Sequence, residues 1–263
     1  MATRRFTLGA IALTAALVAG NVADAKEWKT IRFGTEGAYA PFNYVTPEGE
    51  LAGFDVDIAN ALCVELNVEC ELVQQDWDGM IPALMANKYD AIIASMSITD
   101  ERKQRIDFTD KYYNTPTRLV AKKGSGIDGT PESLSGKKIG VQRETVQDRY
   151  ATEVFEPAGA EIVRYGTGDE ANLDLVAGRV DVRLEDSVVL SENFLKKDEG
   201  TDFEFIGPPF SDPKWFGYGA GIGVRKGETD LVELLNKGIT ALRANGKYDE
   251  IQKKYFDFDV YGS

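Results

Sequence analysis

Residues 84–97 read LMANKYDAIIASMS, and residues 175–187 read LVAGRVDVRLEDS. Both share one rhythm: the end of a helix, a short polar turn, then an Asp-bearing apolar strand. The spacing between them is far too long for a short-period tandem repeat. Two similar α/β lobes are the simpler reading.

Working outward from the first copy, TIRFGTE (30–36) reads as a strand, residues 54–66 as a helix with Phe54, Ile58, Ala61 and Leu62 on one face, and ECELVQQ (69–75) as a strand. Residues 77–87 read as a helix that tolerates Pro82 in its first turn, residues 89–95 as a buried strand and 99–104 as a short helix. Around the second copy, strands are expected at 137–142, 160–165, 179–184 and 202–207, with helices at 145–155, 169–177 and 186–196. A strand at 219–225 and helices at 228–244 and 246–254, parted at Gly246, close the chain. Pro-containing, loop-like stretches near Thr115–Arg118 and Pro208–Trp215 mark the boundaries. The expected division is lobe 1 over 26–115, lobe 2 over 116–212 and a return to lobe 1 over 213–263. Two crossings of this kind can act as a hinge.

The first 25 residues stand apart: Arg4 and Arg5, an apolar run from Leu8 to Val18, then Ala23-Asp24-Ala25. This is the pattern of a cleavable export signal, and the run is too short for a comfortable membrane span. The arginine pair leaves a twin-arginine route open beside ordinary secretion, and no cysteine at the cleavage site offers a lipid anchor. In an oxidising compartment, Cys63 and Cys70 most economically form a disulfide worth about 2 kcal/mol; two buried thiols are the alternative.

The chain of 263 residues carries 30 Lys+Arg against 43 Asp+Glu, a charge of −13, and no histidine. Removal of the leader takes away two positive charges and one negative. Without histidine there is no Ser-His or Cys-His nucleophile pair and no imidazole base, and two cysteines cannot make a four-thiolate metal site. So acidic a chain is a poor nucleic-acid binder. Carboxylates, aromatics and hydroxyls remain as site chemistry.

Four places carry such groups just after strands, where α/β sheets hold ligands. Glu36 and Tyr39 follow the first strand: a carboxylate for a cation and a ring to stack on an apolar stem, or an ordinary Gly/Pro loop. Trp77 follows the strand ending at Gln75 and is either an opposing wall or core. Ser95 and Ser97 precede Thr99, a candidate N-cap, which puts Arg102 in a first helical turn. A cation there opposes the helix dipole, so propensity does not explain it; it is either a carboxylate receptor or the partner of an acid such as Asp107. Thr145 and Asp186 begin later helices as caps or ligand contacts. Two acids and one arginine together suit a zwitterion with an additional cationic end.

At these residues the sequence resembles the periplasmic amino-acid-binding proteins of ABC importers, in the branch that binds lysine, arginine, ornithine and histidine. The carriers are GTEGAYAPF, LAGFDVDIANAL with its cysteines, WDGMIPAL, YDAIIASMSITDERK, GVQRETVQD, AGRVDVRLEDS and YDEIQKKYFDFDVYG, in order along nearly the whole mature chain. The resemblance implies a two-lobed α/β flytrap fold with two hinge crossings, a periplasmic monomer, delivery of a basic L-amino acid to an inner-membrane permease complex, and neither cofactor nor metal. Carried over residue by residue, it implies that Arg102 grips the ligand α-carboxylate with Ser97 and the backbone near Val146. Asp186 takes the α-ammonium with Ser95 and Ser97, Tyr39 and Trp77 sandwich the side chain, and Glu36 meets the distal cation. Gln142, Thr145 and Gln147 line the face of lobe 2.

The sequence departs from the family pattern in places. Glu36 stands where the best-known members have Asp, which should favour another side-chain length or a forked guanidinium. Ala94 replaces a common Ser, Gln142 an apolar residue, Glu144 a frequent Gly and Arg183 a usually small residue. Arginine is therefore expected first, then ornithine and lysine, with histidine lower. Opine-binding relatives share parts of the pattern, and some exported dehydratases share the fold and would use Glu36 or Asp186 for proton transfer. A membrane-fused sensory domain would need a span after Ser263, and a receptor serving some partner other than an importer is the remaining alternative.

Overall fold

The computed structural model describes residues 27–262; the expected export signal at 1–25 lies outside the described residues. In chain order the first part runs β1 (Thr30–Thr35), β2 (Ala38–Tyr39), β3 (Asn43–Val45), β4 (Leu51–Ala52), α1 (Phe54–Leu66), β5 (Glu69–Gln74), a 3₁₀ turn at Trp77–Gly79, α2 (Met80–Met85), β6 (Ala91–Ile92), α3 (Asp100–Lys103) and β7 (Ile106–Tyr113). Then follow β8 (Thr117–Lys122), α4 (Pro131–Leu134), β9 (Lys138–Gln142), α5 (Val146–Tyr150), β10 (Glu161–Tyr165), α6 (Gly168–Val176), β11 (Val182–Asp186), α7 (Ser187–Leu190) and β12 (Phe203–Phe210). The last elements are α8 (Pro213–Phe216), β13 (Ala220–Arg225), α9 (Thr229–Ala244) and α10 (Lys247–Gln252).

Two five-stranded sheets result, ordered β5-β1-β6-β13-β7 and β10-β9-β11-β8-β12. They have the same grammar. In each, three parallel strands are followed by one antiparallel strand and an antiparallel edge. The chain leaves the first sheet between β7 and β8 and returns from β12 to β13, so two segments join the sheets. A small sheet β2-β3-β4 projects from the first.

Apolar periodicity explains most of this. α1 buries Phe54, Ile58, Ala59 and Leu62 and ends on left-handed Asn67 at φ 53°. α9 lies against it closely enough that a Cβ on Gly238 would meet Leu62 Cδ2 at 2.7 Å. Cys63 and Cys70 are joined in a disulfide that ties the end of α1 to β5. α6 starts on a capping box of Thr167 and Glu170. Below the first sheet an aromatic cluster fills the core, with Phe42 stacked on Tyr113 at 4.4 Å and both Phe42 and Phe54 fully buried, each contributing roughly 2 kcal/mol.

Several elements differ from expectation. Only Ala91–Ile92 of 89–95 pairs as a strand, because after the Ile93 N–H bonds Gly34 the chain turns away through Ser95 at φ 56°. The strand expected at 179–184 begins later and runs to Asp186, since Arg179 and Val180 donate back to Asp174 to close α6. The helices at 145–155 and 186–196 each change to π-helical turns, at Ala151–Phe155 and Ser191–Leu195. The sequence pattern does not single out β7 and β8; IDFTDKYY alternates weakly, and Pro116 makes its surroundings read as a loop.

Candidate functional site

All eleven residues singled out in the sequence line one cavity between the two sheets. Glu36, Tyr39, Trp77, Ser95, Ser97 and Arg102 come from the first sheet and its loops, and Gln142, Thr145, Val146, Gln147 and Asp186 from the second. The reason is topological. Apart from Tyr39 on β2, the groups sit where a strand ends and the chain turns toward a helix or in that helix's first turn, and those ends face one another across the cleft.

Thr99 caps α3 by accepting from the Arg102 N–H at 3.2 Å, which fixes the arginine in the first turn. The guanidinium donates to the Ser97 carbonyl at 3.1 Å and the Glu144 carbonyl at 3.3 Å, and lies 5.3 Å from the centre of the Trp77 ring. Asp107, its possible acidic partner, instead takes Lys226 at 2.6 Å. Among the described residues Arg102 forms no salt bridge. Burial pushes it down to about 10, with Arg149 adding to the push and Glu101 opposing it.

Among the described residues the two acids likewise form no salt bridge. Glu36 is 5% exposed and accepts from Gln142 Nε2 at 2.6 Å. Burial pushes it up to about 7; the Gln142 bond opposes this and Glu185, Asp76 and Asp169 add to it. Asp186 caps α7 by accepting from the Val188 and Val189 N–H groups at 2.7 and 3.3 Å, and it also accepts from the Thr115 hydroxyl. Burial pushes it up to about 7 against those bonds, with Glu185 adding to the rise. Cap and cavity carboxylate are thus one residue.

Other expected contacts are committed to the scaffold. The Ser95 hydroxyl donates to Asp55 at 3.0 Å, inside a buried network with Tyr112 and Asn43. Thr145 caps α5 through Asp148 N–H at 3.1 Å while its own hydroxyl donates to the Gln142 carbonyl at 2.7 Å. Gln147 donates to Thr117 at 3.1 Å. Ser97 forms a bridge to Ala220 of the returning strand. Glu144 adopts φ 58°, the left-handed conformation that glycine takes most easily, and in doing so presents its carbonyl to Arg102.

Sequence reasoning missed several lining residues: Tyr113, Asn114 and Thr115 on one crossing, and Phe216, Gly219 and Ala220 on the other. Thr115 falls in an expected boundary, Gly219 and Ala220 in an expected strand, and only folding turns either into a wall. It also left Arg183 unplaced. Arg183 is fully buried and pairs with Glu185 at 2.7 Å. A signal existed, because opposite charges at i and i+2 of a strand share a face.

The model of the bacterial extracellular solute-binding proteins, family 3, matches residues 31–258. The L-arginine-binding protein of Pseudomonas aeruginosa is 54% identical over 256 residues, 97% of each chain. The lysine/arginine/ornithine-binding periplasmic protein of Escherichia coli K12 is 46% identical over 234 residues, covering 89% of this chain and 90% of the relative. Among solved structures, an ancestral arginine-binding protein bound to arginine superposes with a TM-score of 0.80 at 36% identity, covering 87% of this chain and 98% of the other.

Proposed function

This chain belongs to the bacterial extracellular solute-binding proteins, family 3, and we propose that it captures a basic L-amino acid, arginine first, and delivers it to an inner-membrane ABC permease complex. The observation that carries the reading is the charge set of the cavity: one guanidinium without a carboxylate and two carboxylates without a cation. A ligand with one negative and two positive ends completes all three, and buried charges left uncompleted are costly. In this reading Arg102 holds the α-carboxylate and Asp186 the α-ammonium, while Glu36 meets the distal cation between Tyr39 and Trp77. Glu36 is buried and backed by a neutral donor, Gln142, so its remaining lone pairs are left for a cation. A planar fork uses such a carboxylate through two bonds, which places guanidinium ahead of ammonium. The 54% identical relative is named for L-arginine.

The lobes are read as 26–115 with 213–263, and 116–212, closing over the ligand as a periplasmic monomer after removal of residues 1–25. The protein acts by binding, without turning its ligand over. Calorimetry with arginine, ornithine, lysine, histidine, glutamine and an opine tests the ligand class. Tight binding of glutamine with no response to arginine would refute it. Glu36→Gln should weaken cationic ligands about tenfold or more and leave neutral ones unchanged; equal losses in both classes would remove its assigned role. Arginine uptake that persists after deletion of the permease would refute delivery to it.

A further inference from the structure

Glu185 carries no role in the charge scheme above, yet it is 1% exposed and fully engaged. Its Oε2 accepts from Arg183 at 2.7 Å, and its Oε1 accepts from the Asp186 N–H at 2.9 Å and from the Tyr39 hydroxyl at 2.8 Å. Arg183 is anchored in turn by donating to the carbonyls of Gly140 at 3.2 Å and Leu184 at 2.9 Å. Arg183 and Glu185 are on β11 of the second sheet; Tyr39 is on β2, which projects from the first. The Tyr39 bond therefore crosses the cleft.

A buried ion pair is weak evidence for stability, since desolvation consumes most of its attraction. Here it has a specific consequence. Arg183 holds Glu185 in place, and the carboxylate offers a fixed acceptor to a hydroxyl that reaches it only when the two sheets stand this close. Glu36–Gln142 also crosses the cleft, but both partners belong to the ligand-facing set. The bridges Arg143–Asp78 and Arg149–Glu101 cross near the surface, where solvent screens them. Tyr39–Glu185 alone among these joins a cavity wall to a charge outside the ligand scheme.

We propose that the Arg183–Glu185 pair is a latch that holds the Tyr39 hydroxyl across the cleft, stabilising the closed arrangement of the lobes with or without ligand and to the same degree for every ligand. Glu185 and Arg183 are positioning residues: they touch no ligand, but fix the ring that forms one wall. The proposal rests on the reading that the lobes close over their ligand, and it adds a contribution to affinity that carries no side-chain preference.

Tyr39→Phe keeps the ring and removes the bond. Arginine, ornithine and lysine should each bind about tenfold more weakly, by faster dissociation, since hydrogen bonds to charged groups are the stronger kind. In an Arg183→Met/Glu185→Leu background, where the acceptor is gone, Tyr39→Phe should cost nothing more; thermal unfolding of that background checks that it folds. Binding by Tyr39→Phe within twofold of the unaltered protein, an equal loss in both backgrounds, or a loss confined to one ligand would each overturn the latch. Ligand-free Tyr39→Phe should also show a larger radius of gyration in solution scattering, and equal radii would overturn the latch as well. Failure of the unaltered protein to bind any of the three amino acids would instead refute the functional reading, and the ligand-free scattering comparison still decides the latch.

Discussion

The strands β6 and β11 are the middle strands of the two sheets, each beside a parallel neighbour, β1 or β9, and each ending at the cavity. Both are entered through an aspartate that accepts an N–H from that neighbour: Asp90 from Arg32 at 3.1 Å, and Asp181 from Lys138 at 2.8 Å. From there they diverge. Asp90 is buried and also holds Arg32 and Arg225; burial pulls its carboxyl upward, but the bonds from those arginines outweigh it and hold it below its ordinary value. Asp181 is exposed and takes part in no salt bridge among those described. β6 continues apolar through Ile92, Ile93 and Ala94, whereas β11 buries Arg183 and Glu185. Thus β6 keeps its charge at the end far from the cleft, and β11 carries charges toward it. The same frame tolerates both because each buried charge has partners.

The largest expected effect falls on the cleft ends of this pair. Arg102→Ala should weaken every α-amino acid by about a hundredfold or more, regardless of side chain, because the ligand carboxylate is left buried without a partner. Calorimetry checks it, and a loss confined to basic ligands would break the division of labour between the lobes.

Acidity should separate the two lobes next. Glu36 from the first and Asp186 from the second both stand at about 7 without ligand. A ligand cation favours the charged form, so binding expels whatever proton each carries. Affinity for arginine is therefore highest above pH 7 and falls as pH drops through it, by about tenfold for each carboxylate between pH 8 and 6. Titrations at several pH values test this, and Glu36→Gln should retain only the Asp186 share of the slope. An affinity flat across that range would refute it.

The smallest effects test the strand entries. Asp90→Asn should destabilise the fold by about 2 kcal/mol and Asp181→Asn by under about 1 kcal/mol, since only the first strands two arginines. Equal losses in denaturant unfolding would show that the backbone bond, and not the ion pairs, matters at both.

Much of the fold was legible because apolar spacing is local. α1 was placed residue for residue, and the echo between 84–97 and 175–187 announced two like sheets. Where packing overrode the local pattern, the reading failed: β6 shrank to two residues because its neighbours pull the chain out at Ser95, and β7 and β8 hid beside a proline. The site was partly legible for the same reason. Arg102 in a first turn and Asp186 as a cap follow from local chemistry. The walls Asn114, Thr115 and Gly219 do not, since nothing local says what a loop or a strand end will face.

By itself the sequence determined the alternation of strands and helices, the cysteine pair, the absence of imidazole chemistry and the kinds of charge available to a ligand. These depend on residue type and on spacing within a few turns. Tertiary structure alone decided which charges would lose their water and which would find one another. It sent Asp107 to Lys226 and left Arg102 open, and it buried Arg183 against Glu185. It also brought Tyr39 across the cleft to the same carboxylate, 146 residues away in sequence. Burial and pairing are set by distances through space, and neither is written in the order of the chain.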